Sequence, residues 1–286
     1  MGTSASSKGP GSGVSFDPPW LDDIVTPAPV PDVPVETPQT DVESPHDTLP
    51  VPPEHQPEPE SVAPTRRFTN ARRALNIFVQ TGRKVDFNKA AGHYSRTGMG
   101  GARNVARRMR TATKTGASVF GLLRSAREGT DPSVNEWVSS LAHRNANAQE
   151  VADEIIRRAV PAGGSQDETA CQDSMAQALQ DLIAENETVD LLHLSDNDIW
   201  ALLESFLGYE AFARMYLDIG QIFESTALSP RELVERMIEM QEYLKADLAM
   251  QIERLRQQSQ DASASQLQSI MRQALENTFA VYEGTV

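Results

Sequence analysis

Residues 229–257 read SPRELVERMIEMQEYLKADLAMQIERLRQ, and this stretch decides the fold class. Ser229 and Glu232 form a capping-box pattern, and Pro230 falls at the first helical position, where its missing N–H costs nothing. Apolar residues then recur at spacings of three and four: Leu233, Met237, Met240, Leu244, Leu248, Ile252 and Leu255. The stretch therefore predicts a long helix with one apolar face turned to a core.

Similar signals occur on both sides of this helix. Ser165 with Glu168 forms a second capping box, Ser195 precedes another apolar stripe, and residues 266–282 repeat the helical spacing. Towards the N-terminus, residues 71–80 predict a helix that stops at Gly82. No stretch alternates as a strand does, so the predicted fold class is all-α, a helical bundle.

Charge and proline divide the chain into three segments. Residues 1–65 contain one basic and eleven acidic side chains, together with fifteen of the eighteen prolines. Residues 66–127 contain fifteen basic side chains and one acidic, and residues 128–286 contain ten basic and 28 acidic. The first segment buries too little apolar surface to order, so we expect a long disordered Pro-rich arm. A basic Arg/Gly-rich helical segment and an acidic α-helical domain follow.

Several classes of protein are excluded or disfavoured. The single cysteine, Cys171, rules out a disulfide framework and a cysteine zinc site, and none of the five histidines has a partner at metal-ligand spacing. No nucleophile-elbow or nucleotide-loop motif is present, so we expect neither a cofactor nor an enzyme. No apolar run approaches the ~18 residues of a membrane span, and no secretory signal is seen, which predicts a cytoplasmic protein.

The chain opens with MGTSASSKGPG, a segment of small polar residues. Removal of Met1 would leave the α-amine of Gly2, whose pKa of ~7.7–8.0 makes it a nucleophile near neutral pH. Gly2 with Ser6 also fits a myristoylation pattern. That interpretation is disfavoured, because no polybasic patch adjoins the site to help a single acyl chain anchor. The segment therefore predicts an exposed, modifiable glycine at position 2, and Thr3 and Ser4 beside it are candidate contacts for a partner.

An apolar island lies further along the arm, in the sequence FDPPWLDDI of residues 16–24. Its anchor residues are Phe16, Pro19, Trp20 and Leu21. Large side chains within a polar tract are typical of short docking motifs, although they can also be incidental.

The basic segment contains a periodic stripe. In the sequence GGARNVARRMRTATK, residues 100–114, we predict a single helix from Ala102 to about Arg127. Arg103, Arg107, Arg110 and Lys114 would share one face of it, with Arg108 nearby. Arg96 precedes Gly98, Gly100 and Gly101, which either cradle a phosphate or break the helix. The stripe either contacts phosphates of nucleic acid or pairs with acidic segments, in the same chain or in a second copy.

The opening residues 1–11, followed by PPWLD at 18–22, resemble the start of QatB proteins of the bacterial four-component Qat anti-phage defence system. The stretch YSRTGMGGAR at 94–103, followed by ARRM at 106–109, is similar to the Gly- and Arg-rich centre of that family. The resemblance implies three partners: an ATPase (QatA), a QueC-like enzyme of 7-deazaguanine chemistry (QatC) and a TatD-like nuclease (QatD).

The resemblance also implies a role for Gly2. A QueC-like enzyme activates a deazaguanine carboxylate as an adenylate that an amine then attacks, and Gly2 would be that amine. The expected protein is a non-enzymatic adaptor that presents Gly2 to QatC, while its helical body binds the ATPase or a second copy of itself. The alternative is a sensor that binds nucleic acid through residues 66–127.

Overall fold

The computed structural model describes residues 66–160, 164–186, 188–257 and 263–286. Within these ranges the chain forms eleven α-helices and one π-helical turn (Tyr94–Met99), with no strand. The helices are α1 (Thr69–Thr81), α2 (Lys84–His93), α3 (Ala102–Arg108), α4 (Arg110–Glu128), α5 (Pro132–His143), α6 (Ala148–Ala159), α7 (Gln166–Glu185), α8 (Asp196–Ile219), α9 (Gln221–Glu224), α10 (Pro230–Arg256) and α11 (Ala264–Glu283). The all-α prediction is confirmed. The predictions for the arm, residues 1–65, lie outside the described ranges.

Capping boxes begin most of the long helices. The Ser229 hydroxyl accepts a hydrogen bond from the Glu232 N–H while the Glu232 carboxylate accepts one from the Ser229 N–H. The same reciprocal pattern opens α7 at Ser165 and α8 at Ser195. Each pair satisfies N–H groups that the first turn of a helix leaves without partners. The predicted starts of these three helices are confirmed.

Gly82 ends α1 as the sequence predicts. Its φ is +65°, in the left-handed region that glycine adopts without strain, and its N–H donates to the Phe78 carbonyl oxygen at 2.7 Å.

The prediction of one continuous helix from Ala102 to Arg127 is wrong. The chain forms α3 and α4 instead, with a break at Met109, whose φ and ψ are −92° and 22°. The Met109 side chain is fully buried at this break. The Met109 N–H still donates to Val105 O (3.2 Å), and Met109 O accepts from the Thr113 N–H (3.1 Å). The break is therefore a kink between two helices rather than a loop.

The core is built around α8, which packs against α4, α7 and α10. Leu203, Phe206 and Met215 of α8 are fully buried, and a helix apolar on several faces belongs at the centre of a bundle. The last helix, α11, packs against α2, α3, α4 and α10. Buried side chains of the basic segment and of the acidic segment thus share one core.

The first turns of α10 differ from the sequence prediction. Leu233 and Met237 were expected to face inward, but they are only half-buried, and Val234 and Ile238 are exposed. Full burial of the apolar stripe begins at Met240. The helix therefore extends beyond the part of the core that covers it.

A network of charged side chains is buried between α7 and α8. Arg214 is 1% exposed and donates from Nε to the Glu210 carboxylate at 2.8 Å, while its Nη1 contacts Asp167. The Ser174 hydroxyl donates to the second Glu210 oxygen at 3.3 Å. Buried charges are tolerated when they are paired and hydrogen-bonded, as these are.

Cys171 lies beside this network and is fully buried. Burial, reinforced by the negative charge of Glu210, raises the pKa of its thiol to about 12. Because the thiolate is the reactive form, this cysteine is a packing residue and not a nucleophile.

Glu204 makes the stability of the fold depend on pH. Burial, together with the charge of Glu253, raises the pKa of this carboxyl from its ordinary 4.5 to about 7, although Arg256 opposes the rise. The folded chain therefore keeps a proton that the unfolded chain has lost, and stability falls as pH rises from 4.5 to about 7.

We expect Glu204→Gln, which cannot ionise, to be more stable than the natural chain by about 1–2 kcal/mol at about pH 8. The expected gain is kept small because Glu204 is partly exposed and solvent screens its charge. The difference should vanish at about pH 4, where both side chains are neutral. Urea unfolding of both proteins across this range measures it. Parallel stability curves for the two proteins would contradict the prediction.

Candidate functional site

The glycines that follow the π-helical turn redirect the chain into α3. Gly100 and Gly101 have φ values of +75° and +117°, a region that side chains other than glycine rarely adopt. The Gly101 N–H donates to Ser95 O at 2.9 Å, and the Asn104 amide donates to Gly100 O at 3.0 Å. The glycine run therefore breaks the helix before α3, as one of its two interpretations predicts, while its role as a phosphate cradle stays a prediction.

Arg96 lies apart from the other candidate arginines. Its Nη1 donates to the main-chain oxygen of Val286 at 2.6 Å, just beyond the end of α11. Arg96 therefore links the π-helical turn to the segment after α11.

Three of the predicted arginines meet at one cavity. Arg103 and Arg107 of α3 and Arg110 of α4 line it together with Arg272 of α11. The cavity has a volume of about 360 Å³, and its remaining lining residues are Ala106, Thr113, Gln268 and Glu276. We call this cavity the arginine pocket.

The arginine pocket carries more positive than negative charge. Its one carboxylate, Glu276, lies 4.0 Å from Arg103 Nε, and both side chains are well exposed, so that contact contributes little. In the described part of the chain, no carboxylate forms an ion pair with Arg107, Arg110 or Arg272, all three of which are exposed. The pocket therefore presents guanidinium donors that solvent or a ligand must satisfy.

Lys114 does not line the arginine pocket. It is exposed one turn further along α4 and forms no ion pair with any described residue. Of the predicted stripe, Arg103, Arg107 and Arg110 therefore line the pocket, whereas Lys114 lies beyond it on α4.

Arg108 has a different environment from its neighbours. Its Nη1 lies 2.7 Å from an oxygen of Asp167, the residue that also contacts buried Arg214. Burial raises the pKa of the Asp167 carboxyl, but hydrogen bonds and charge from Arg108 and Arg214 outweigh it and hold the pKa below its ordinary value. Arg108 thus connects α3 to the core network and is part of the scaffold.

Other side chains of the basic segment, residues 66–127, also pair with the acidic segment. Lys84 lies 2.7 Å from Asp247, and Arg127 lies 2.8 Å from Asp196. Lys84, Arg108 and Arg127 thus pair with the acidic segment of the same chain, as one of the two alternatives predicts. Arg107, Arg110 and Lys114 form no ion pair with a described residue, and their contact with nucleic acid stays a prediction.

Sequence reasoning missed Arg272. This arginine belongs to the acidic segment. Gln268 and Glu276 lie four residues before and after it, and that spacing shows only that the three residues share a polar face of α11. Packing of α11 against α3 and α4 is what brings Arg272 to the others.

The comparison with protein families bears on this same region. The model described as "Qat anti-phage system associated protein QatB" matches residues 100–282, more than half of the chain. This chain belongs to the QatB family. The QatB match includes every residue that lines the arginine pocket, as well as the acidic helices for which the sequence offered no motif. No curated protein and no solved structure matches the chain.

The remaining predictions concern the N-terminal arm, metal binding and membrane-spanning helices. Gly2, Thr3, Ser4, Phe16, Pro19, Trp20 and Leu21 lie outside the described residues. Within those residues, no group of three or more His, Cys, Asp or Glu side chains could hold a metal ion. No described helix is both long and apolar enough to cross a membrane.

Proposed function

We propose that this QatB-family chain is a non-enzymatic adaptor of Qat anti-phage defence whose Gly2 amine accepts a 7-deazaguanine group from a QueC-like partner, QatC. Membership of the family implies a role in the Qat system. The observation that carries the finer proposal is the sequence itself: a glycine directly after Met1, in a run of small polar residues that leaves the amine sterically open.

The proposed reaction is an acyl transfer. QatC would activate the deazaguanine carboxylate as an adenylate, whose carbonyl carbon the uncharged Gly2 amine attacks. A C–N amide bond forms, the bond from the carbonyl carbon to the AMP oxygen breaks, and the amine proton passes to solvent. The α-amine suits this role because its pKa of ~7.7–8.0 leaves part of it uncharged at neutral pH, unlike a lysine at ~10.4.

The rest of the chain has a positioning role in this proposal. Phe16, Pro19, Trp20 and Leu21 dock the arm on the partner, and Thr3 and Ser4 accompany Gly2 into its active site. The helical body binds the ATPase, QatA, or a second copy, with the TatD-like nuclease, QatD, as a further component. Burial raises the pKa of the Cys171 thiol, so this residue offers the helical body no thiolate nucleophile. We place the complex in the cytoplasm, where phage nucleic acid is met.

Mass spectrometry tests the acceptor role. The chain is co-expressed with its Qat partners, and its intact mass and N-terminal peptide are measured. We expect a mass increase on the peptide that begins at Gly2, and its complete loss in Gly2→Pro, because a ring-bound secondary amine is a hindered nucleophile.

Lys8→Arg is the matched control, because it removes the only side-chain amine of the first ten residues and leaves Gly2 intact. The added mass should persist in this variant, and phage defence should persist with it. The proposal would be refuted if Gly2 were unmodified in cells that resist phage fully. It would also be refuted if the added mass were lost in Lys8→Arg.

A second candidate function is nucleic-acid binding by residues 66–127. It is favoured by the exposure of Arg107, Arg110 and Lys114 without acidic partners among the described residues. Binding of this kind weakens steeply as salt is added, because each neutralised phosphate releases counterions. An oligonucleotide that fails to bind even at low salt would eliminate this candidate.

A further inference from the structure

We propose that the arginine pocket is a binding site for the di- or triphosphate group of a small ligand. It is formed by Arg103, Arg107, Arg110 and Arg272, on three helices that the fold brings together. The inference does not depend on the modification of Gly2.

The charge of the arginine pocket calls for an anion. Four guanidinium groups share a cavity of about 360 Å³ with one carboxylate, Glu276, which lies nearest to Arg103. Like charges held close together destabilise the chain that carries them, and a bound anion removes that repulsion. Other exposed arginines, such as Arg73 and Arg254, also form no ion pair with a described residue, so the arginine pocket is distinguished by the four guanidinium groups that line one cavity.

The donor set indicates phosphate, and more than one phosphate group. A guanidinium presents a planar fork of N–H donors that matches the oxygens of phosphate two at a time. A di- or triphosphate offers more oxygens to four such forks than a single phosphate does, and its charge is close to that of the pocket. Gln268, half-buried at the wall, offers a further amide donor.

The lining offers no aromatic face for a base. No aromatic side chain contributes to the arginine pocket, and proteins that hold unpaired bases rely on aromatic faces. The Thr113 hydroxyl is engaged with Arg110 O at 3.1 Å. The donors of the arginine pocket therefore match the phosphate group of a ligand better than the rest of it.

The shape of the site favours a small ligand over a polynucleotide. The arginines are gathered around a cavity walled by α11 on one side and by α3 and α4 on the other, and its volume lies in the range of small-molecule sites. A nucleic-acid surface would instead spread its cations along a groove that follows the phosphate backbone.

Calorimetric titration of the full chain tests the proposal, with inorganic tripolyphosphate as the probe and ATP as competitor. We expect binding at one site, competition by ATP, and a rise in the melting temperature as tripolyphosphate is added. Arg107→Gln with Arg272→Gln should weaken binding about a hundredfold, since each arginine contributes about tenfold or more through charge-assisted hydrogen bonds.

The matched control is Arg73→Gln with Lys89→Gln. It removes the same charge from two exposed residues of the basic segment that do not line the arginine pocket, and its affinity should remain within about threefold of the natural chain, since only screened long-range charge is lost. Circular dichroism verifies that each variant is folded, and Gly2→Pro should leave tripolyphosphate binding unchanged.

Three results would overturn the proposal. The first is an intact chain that does not bind tripolyphosphate at millimolar concentration. The second is an equal loss of affinity in the control variant and the pocket variant. The third is a single-stranded oligonucleotide that binds through Arg107 and Arg272 far more tightly than tripolyphosphate, which would assign these residues to nucleic acid.

Discussion

Arg214→Ala is expected to destabilise the chain by about 3–5 kcal/mol, because it leaves the carboxylate of Glu210 buried without its partner. Glu210 is fully buried, and its other contact, the Ser174 hydroxyl at 3.3 Å, cannot neutralise a charge. Asp167 is affected less, since it keeps Arg108 and is partly exposed. Urea unfolding followed by circular dichroism measures the loss.

Two further variants separate the charge from the cavity. Arg214→Met combined with Glu210→Leu removes both charges and keeps much of the volume, so it should recover most of the lost stability. Arg231→Ala breaks an exposed ion pair on α10 and should cost less than about 1 kcal/mol. If the double variant were no more stable than Arg214→Ala, the cost would not come from the unpaired Glu210 carboxylate, and the prediction would be contradicted.

Gly208→Ala is expected to destabilise the chain by about 2–3 kcal/mol, although alanine is the better helix former by about 1 kcal/mol. The reason is the close approach of α8 to α10. A Cβ at Gly208 would lie 2.9 Å from the Cα of Lys245, and a main-chain atom cannot move aside as a flexible side chain does.

Gly121→Ala is the matched control for this substitution. Gly121 also lies within a helix, α4, but a Cβ there would meet no atom within 4 Å. This change should therefore stabilise the chain by about 0.5–1 kcal/mol. The two substitutions should shift the urea midpoint in opposite directions, and a shift of the same sign for both would contradict the close packing of α8 on α10.

The sequence allowed helix starts to be predicted wherever the signal is local. Ser165 and Ser229 each make contacts within a single turn, so the residue types alone identify them. The helices α5 and α6 were not predicted, although Asn147 and Glu150 carry the same capping-box signal and begin α6 in this way.

The arginine pocket could be predicted only in part. The spacing of Arg103, Arg107 and Arg110 indicated a shared face, and the three side chains do line one cavity. They do so although the helix is kinked between them at Met109, a buried residue whose position the local sequence does not reveal. Arg272 is more than 150 residues away in a segment of opposite charge. Its place beside the others follows from the packing of α11, and nothing in the local sequence encodes it.

The packing of α11 has a consequence for synthesis on the ribosome. Because this helix covers α2, α3, α4 and α10, those helices cannot complete their core until residues 264–283 have left the exit tunnel. Nascent chains would expose apolar surface throughout translation and depend on chaperones to avoid aggregation. A premature stop codon before α11 should therefore yield a product that proteases remove, rather than a slightly shortened working protein.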